Sequence, residues 1–124
     1  MIFKKVLNIF KTTSFIQKEI NDYSSFQFFK TMSENKKVSF ISVGDSMEPT
    51  INNGERVNIF VNDKSIKVGD LVAFFWSKEK IIVIHRVKRV IIKNKKLYYL
   101  TKGDNLKISD KNLFSKNYIL GTVC

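Results

Sequence analysis

The hydrophobic pattern changes period near residue 37. Upstream, Phe3, Val6, Leu7 and Phe10 recur at helical spacing with lysines elsewhere, and residues 2–36 contain neither glycine nor proline. This stretch is expected to form one or two helices, with a break near "NDYSS" (21–25) and a turn at Ser33 or Asn35. Downstream the period shortens to two. "KVSFISV" (37–43), "ERVNIFV" (55–61), "DLVAFFW" (70–76), "KIIVIHRVKRVII" (80–92), "KLYYLTKGD" (96–104) and "YILGTV" (118–123) are rich in β-branched and aromatic residues and read as strands. "KVGD" (67–70) and "KNKK" (93–96) supply turns between them. All five glycines and the only proline fall in this part. The pattern predicts a helical segment over 1–36 and a mainly β domain over 37–124, built as a bent sheet or a partly closed barrel.

Length and composition narrow the class. A chain of 124 residues fits one domain, and 44% hydrophobic with 27% charged residues is globular rather than disordered. The net charge of +11 would suit an acidic partner such as nucleic acid or an anionic membrane. However, nineteen of the 22 basic residues are lysine, in a chain also rich in Asn and Ile, which is the signature of AT-rich coding. The charge is therefore read mainly as a solvated face, and no nucleic-acid partner is expected.

Cys124 is the only cysteine and His85 the only histidine. An internal disulfide is impossible, and neither a metal site nor a cofactor is expected. No segment approaches the roughly 20 apolar residues that span a bilayer. The N-terminal run is cut by Asn8 and Lys11, which makes a poor signal peptide. Its amphipathic pattern suits a helix on a membrane surface or one packed on the domain. The chain is thus expected in the cytoplasm or peripherally at a membrane.

"SVGDSMEPT" (42–50) carries the chemistry. A serine hydroxyl is a weak nucleophile at neutral pH. It needs a base to take its proton and a backbone N–H aimed at the developing oxyanion. A tight loop after a strand exposes both, so Ser46 is the candidate nucleophile and its own N–H the candidate oxyanion donor. Gly44 permits an unusual backbone before it, Met47 can anchor the loop inward, and Pro49 stiffens the exit. Alone, such a serine is ordinarily a turn or capping residue.

The base lies in "VIHRVKRV" (83–90). Alternation puts His85 on one face of a strand with Ile81, Val83, Val87 and Arg89. Lys88 falls on the other with Ile82, Ile84, Arg86 and Val90. A regular strand cannot offer both to one site. Histidine serves as a base without tuning, whereas lysine would need burial to lower its pKa. Asp104 and Asp110, in "LTKGDNLKISD" (100–110), are the candidates to orient an imidazole.

Taken together and in order, "GDSMEPTI..GERV", "I.VGDLVAFF", "VIHRV", "TKGDN....D" and "ILGTV" resemble the type I signal peptidases and their LexA-like relatives over about residues 38–124. The resemblance implies a mainly β serine-peptidase fold. "VIHRV" is similar to the branch with histidine as general base, found in endoplasmic-reticulum and archaeal signal peptidases. On that likeness Ser46 is the nucleophile, His85 the base, Asp110 the carboxylate behind it and Asp104 a supporting acidic residue. Many signal peptidases carry a hydroxyl two residues before the nucleophile, where this chain has Gly44. The chain also resembles short members that lack a transmembrane anchor.

The implied activity is endoproteolytic removal of a signal or leader peptide from a precursor, bound extended along a sheet edge, with small residues before the scissile bond. "FISV" (40–43) and "AFFW" (73–76) are the expected walls. Two alternatives stand beside it. One is a LexA-like self-cleaving regulator using Ser46 and Lys88. The other is a non-catalytic peptide-binding module of the same fold.

Overall fold

The computed structural model describes residues 2–3, 20 and 22–124. Ile2–Phe3 form a short strand, β1, where helical spacing had suggested helix. Val6, Leu7 and Phe10 of the expected amphipathic helix lie outside the described residues. Helix α1, Tyr23–Met32, starts inside "NDYSS". Asp22 caps it by accepting the Ser25 N–H at 2.8 Å, while the Ser25 hydroxyl accepts the Asp22 N–H, so two otherwise orphaned donors are satisfied.

Seven further strands follow: β2 (Lys37–Ile41), β3 (Arg56–Val61), β4 (Leu71–Trp76), β5 (Ile81–Lys93), β6 (Lys96–Lys102), β7 (Phe114–Ser115) and β8 (Ile119–Val123). They make one antiparallel sheet in the order β2-β3-β8-β4-β5-β6-β7, and β1 pairs with β5. The fold is mainly β, as the period predicted. The β5–β6 connection is a two-residue hairpin turn. Asn94 and Lys95 both take positive φ, 51° and 63°, which matches the twist of the flanking strands.

The sheet is buried on both faces. Ala73, Phe75, Ile82 and Ile84 face one cluster, which α1 joins by stacking Phe26 on Phe75 with centroids 5.1 Å apart. Val72, Phe74, Val83 and Val87 face a second cluster with Tyr99 and Ile119. This explains why β4 and the first half of β5 read as continuous apolar runs rather than strict alternations. Two irregularities bend the sheet, one in β4 against β8 and one in β5 against β6 between Val87 and Arg89. At Gly121 the sheet is closed so tightly that a Cβ would overlap the Phe60 carbonyl. Among the described residues, no helix is long and apolar enough to cross a membrane.

Candidate active site

The loop that carries Ser46 leaves β2 and is tied down at both ends. Ser42 exchanges bonds with the returning chain, its hydroxyl donating to Asn52 O and accepting the Glu55 N–H. Gly44 sits at φ 104°, a conformation that disfavours side chains, and its N–H donates to Asn53 Oδ1 at 2.8 Å. Met47 is fully buried and anchors the loop from below. These ties leave Ser46 half-exposed at the turn.

His85 comes from β5 and is 4% exposed. Its Nε2 lies 3.3 Å from Ser46 Oγ, and its Nδ1 lies 2.6 Å from Asp110 Oδ2. A carboxylate only accepts, so the hydrogen belongs on Nδ1 and the Nε2 lone pair faces the serine hydroxyl. The Phe74 ring stands edge-on to the imidazole, with centroids 6.1 Å apart, and limits its rotation. Ser46, His85 and Asp110 are thus brought together, although 64 positions separate the first from the last.

Asp104 is placed differently. Its carboxylate is forked by Arg86, with Nε 2.8 Å from Oδ1 and Nη2 2.7 Å from Oδ2, and it accepts the Thr50 hydroxyl at 2.7 Å. Arg86 follows His85 on β5 and Thr50 belongs to the Ser46 loop, so Asp104 joins the strand of His85 to the loop of Ser46. Its neighbours share the task. Gly103 packs under Ser46, the Asp104 N–H reaches Met47 Sδ, and the Asn105 N–H donates to Ser46 O at 2.8 Å. The Asn105 side chain holds Asp45 O at 3.0 Å. Of the two candidate orienters, Asp110 is on the imidazole and Asp104 is on Arg86 and Thr50.

Hydrogen bonding to Arg86 holds the Asp104 carboxyl down to about 2. A carboxylate depressed in the folded state stabilises fully above its unfolded value, about 3.9, and loses that contribution as pH falls through about 2. Thermal melts of the wild type and Asp104→Asn should therefore differ most near neutrality and converge between about pH 4 and pH 2. A pH-independent gap would contradict this.

Lys88 is exposed and falls at the β5 bulge, where Val87 pairs with Thr101 and Arg89 with Leu100. The extra residue is turned out of the ladder. Sequence reasoning missed Thr101. It is fully buried, its hydroxyl donates to the same Asp110 oxygen that meets His85, and its carbonyl accepts the Asp110 N–H at 2.8 Å. A threonine at an inward strand position needs a polar partner, and that was the available signal. Among the described residues, the Ser46 N–H donates to no protein acceptor. "AFFW" lies in β4, both of whose edges are paired, to β5 and β8. It can offer a peptide side chains but no ladder.

The model of the Peptidase S24-like family matches residues 11–124. The chain belongs to this family. It is also similar to the signal peptidase complex catalytic subunit SEC11 of Candida tropicalis and of Candida albicans, each 32% identical over 96 residues. Those matches cover 75% of this chain and 58% of each relative, so the chain spans a little over half their length. The SEC11 subunit of Lodderomyces elongisporus is 32% identical over 111 residues, covering 81% of this chain and 67% of that one. The likeness of the motifs to the signal peptidase and LexA-like clan, on its endoplasmic-reticulum-type branch, holds.

Proposed function

We propose that this S24-like protein is a serine endopeptidase of the signal-peptidase type, which cuts a signal or leader segment from a precursor. The observation that carries the reading is the aligned trio: Ser46 Oγ 3.3 Å from His85 Nε2, and His85 Nδ1 2.6 Å from Asp110. Apo geometry of this kind commonly tightens when substrate binds.

The chemistry follows from those contacts. His85 Nε2 takes the Ser46 proton as Oγ attacks the scissile carbonyl carbon. Asp110 keeps Nδ1–H in place and stabilises the imidazolium. The carbonyl oxygen becomes an oxyanion, for which the Ser46 N–H is the available donor. His85 then gives its proton to the leaving amine, and an acyl-enzyme remains on Ser46. Water, deprotonated by the same nitrogen, releases the acyl product. Gly44 brings no hydroxyl to the oxyanion, so the backbone donor carries more of the stabilisation. Asp104, with Arg86 and Thr50, is a positioning residue that holds base strand and nucleophile loop in register.

The substrate is proposed to bind extended beside the end of β2, an edge strand of the sheet, with small residues at the first and third positions before the scissile bond. The membrane contact suggested by the N-terminal pattern is a separate proposal and is independent of this chemistry. A serine–lysine mechanism has little support, because Lys88 is exposed on the bulge.

The test is cleavage of a leader-type peptide followed by mass spectrometry. A single internal cut is expected, retained in full by Lys88→Ala. Cleavage that depends on Lys88 would overturn the assignment of the base.

A further inference from the structure

A cavity of about 380 Å³ opens between β4, β5 and residues 108–114. Phe74, Trp76, Ile108 and Phe114 form its walls, while His85 and Asp110 border it. The Phe74 and Phe114 rings stack at 4.0 Å to make a rigid aromatic surface. The volume lies at the lower end of small-ligand sites, about 300–1,000 Å³, which suits one large side chain rather than a free cofactor. Lys78 and Lys111 also line it, which disfavours a basic occupant. Ile108 is 76% exposed and loses water contact when the cavity is filled.

We propose that this cavity is a specificity pocket for one bulky apolar side chain, of the leucine or phenylalanine class, on the peptide held at Ser46. The inference rests on the peptidase reading, because the occupant is that peptide. Its place follows from continuity: His85 and Asp110 border both the cavity and the reacting centre. Successive side chains of an extended peptide point to opposite faces. Small residues at two alternate positions therefore leave the side chains between and beyond them free to be large. The cavity would make one of these a requirement.

Trp76 is the only tryptophan of the chain and lies in the cavity wall, so it reports occupancy directly. The experiment uses the full chain carrying Ser46→Ala, titrated with capped alanine-rich peptides in which single positions across the cleavage site are changed to leucine. One position should shift Trp76 emission to the blue and bind at least about tenfold tighter than alanine there. Adding Ile108→Asp, an exposed and fold-tolerant site, should reduce that ratio to near one. Equal binding of leucine and alanine at every position, or a leucine preference unchanged by Ile108→Asp, would overturn the pocket. Acylation of wild-type Ser46 by a fluorophosphonate is measured alongside. Its absence would count against the peptidase reading, whereas acylation without a leucine preference would count against the pocket alone.

Discussion

Ser46→Ala and His85→Ala are each expected to lower kcat for peptide cleavage by about 10⁶, and Asp110→Asn by about 10⁴, with the fold intact. These are the magnitudes found when nucleophile, base or orienting carboxylate is removed from a triad acting as a unit. The double variant Ser46→Ala/His85→Ala should be little worse than either single one, because a base without its nucleophile has nothing to activate. Asp110→Asn has its own logic. An asparagine amide can donate to Nδ1, which would move the ring hydrogen to Nε2 and aim a donor at Ser46. Thr101 donates to Asp110, so it would also face an amide that no longer accepts as well. Steady-state assays with thermal melts measure both rate and fold. Additive losses in the double variant would show that Ser46 and His85 do not act on the same step.

Gly103→Ala should lower catalysis strongly although it lies outside the trio. A Cβ there would stand 2.6 Å from Ser46 O and 2.9 Å from Leu106 Cδ1. Leu106 is partly exposed and can yield. The Ser46 carbonyl cannot yield cheaply, because it accepts the Asn105 N–H at 2.8 Å and belongs to the proposed nucleophile itself. Relief must come from moving the loop. A displacement near 1 Å at the reacting atoms costs about 10²-fold in rate, and overpacking costs about 1–3 kcal/mol in stability. The expected result is a kcat lowered by about 10² with KM changed much less, in a protein that still folds. Unaltered kcat would mean that the Gly103–Ser46 contact does not position the serine.

Much of the fold could be read directly because the sheet's period and turns are local signals. The "KNKK" turn is set by two residues, and β3 to β6 fall within a residue or two of the alternating runs. The first element differed for a physical reason as well: Ile2 and Phe3 pair with β5, a tertiary contact that helical spacing cannot register. The β5 bulge was invisible for the same kind of reason, since it exists only against β6. It decides where Lys88 goes. Asp104 and Asp110 look alike in the sequence as candidates to orient the imidazole. What separates them is that Arg86 and Thr50 reach one and His85 and Thr101 the other, across 9 to 54 positions. From the sequence, "AFFW" reads as one wall of the peptide site. Pairing on both edges makes it a central strand whose side chains alone are available.

In the proposed mechanism His85, held by Asp110, activates Ser46. Labelling with a fluorophosphonate reporter, resolved by peptide mapping, tests it without knowledge of the substrate. Covalent label is expected on Ser46 alone, retained in Lys88→Ala, reduced in Asp110→Asn and lost in His85→Ala. Full labelling of Ser46 in His85→Ala, or labelling lost only with Lys88→Ala, would contradict it.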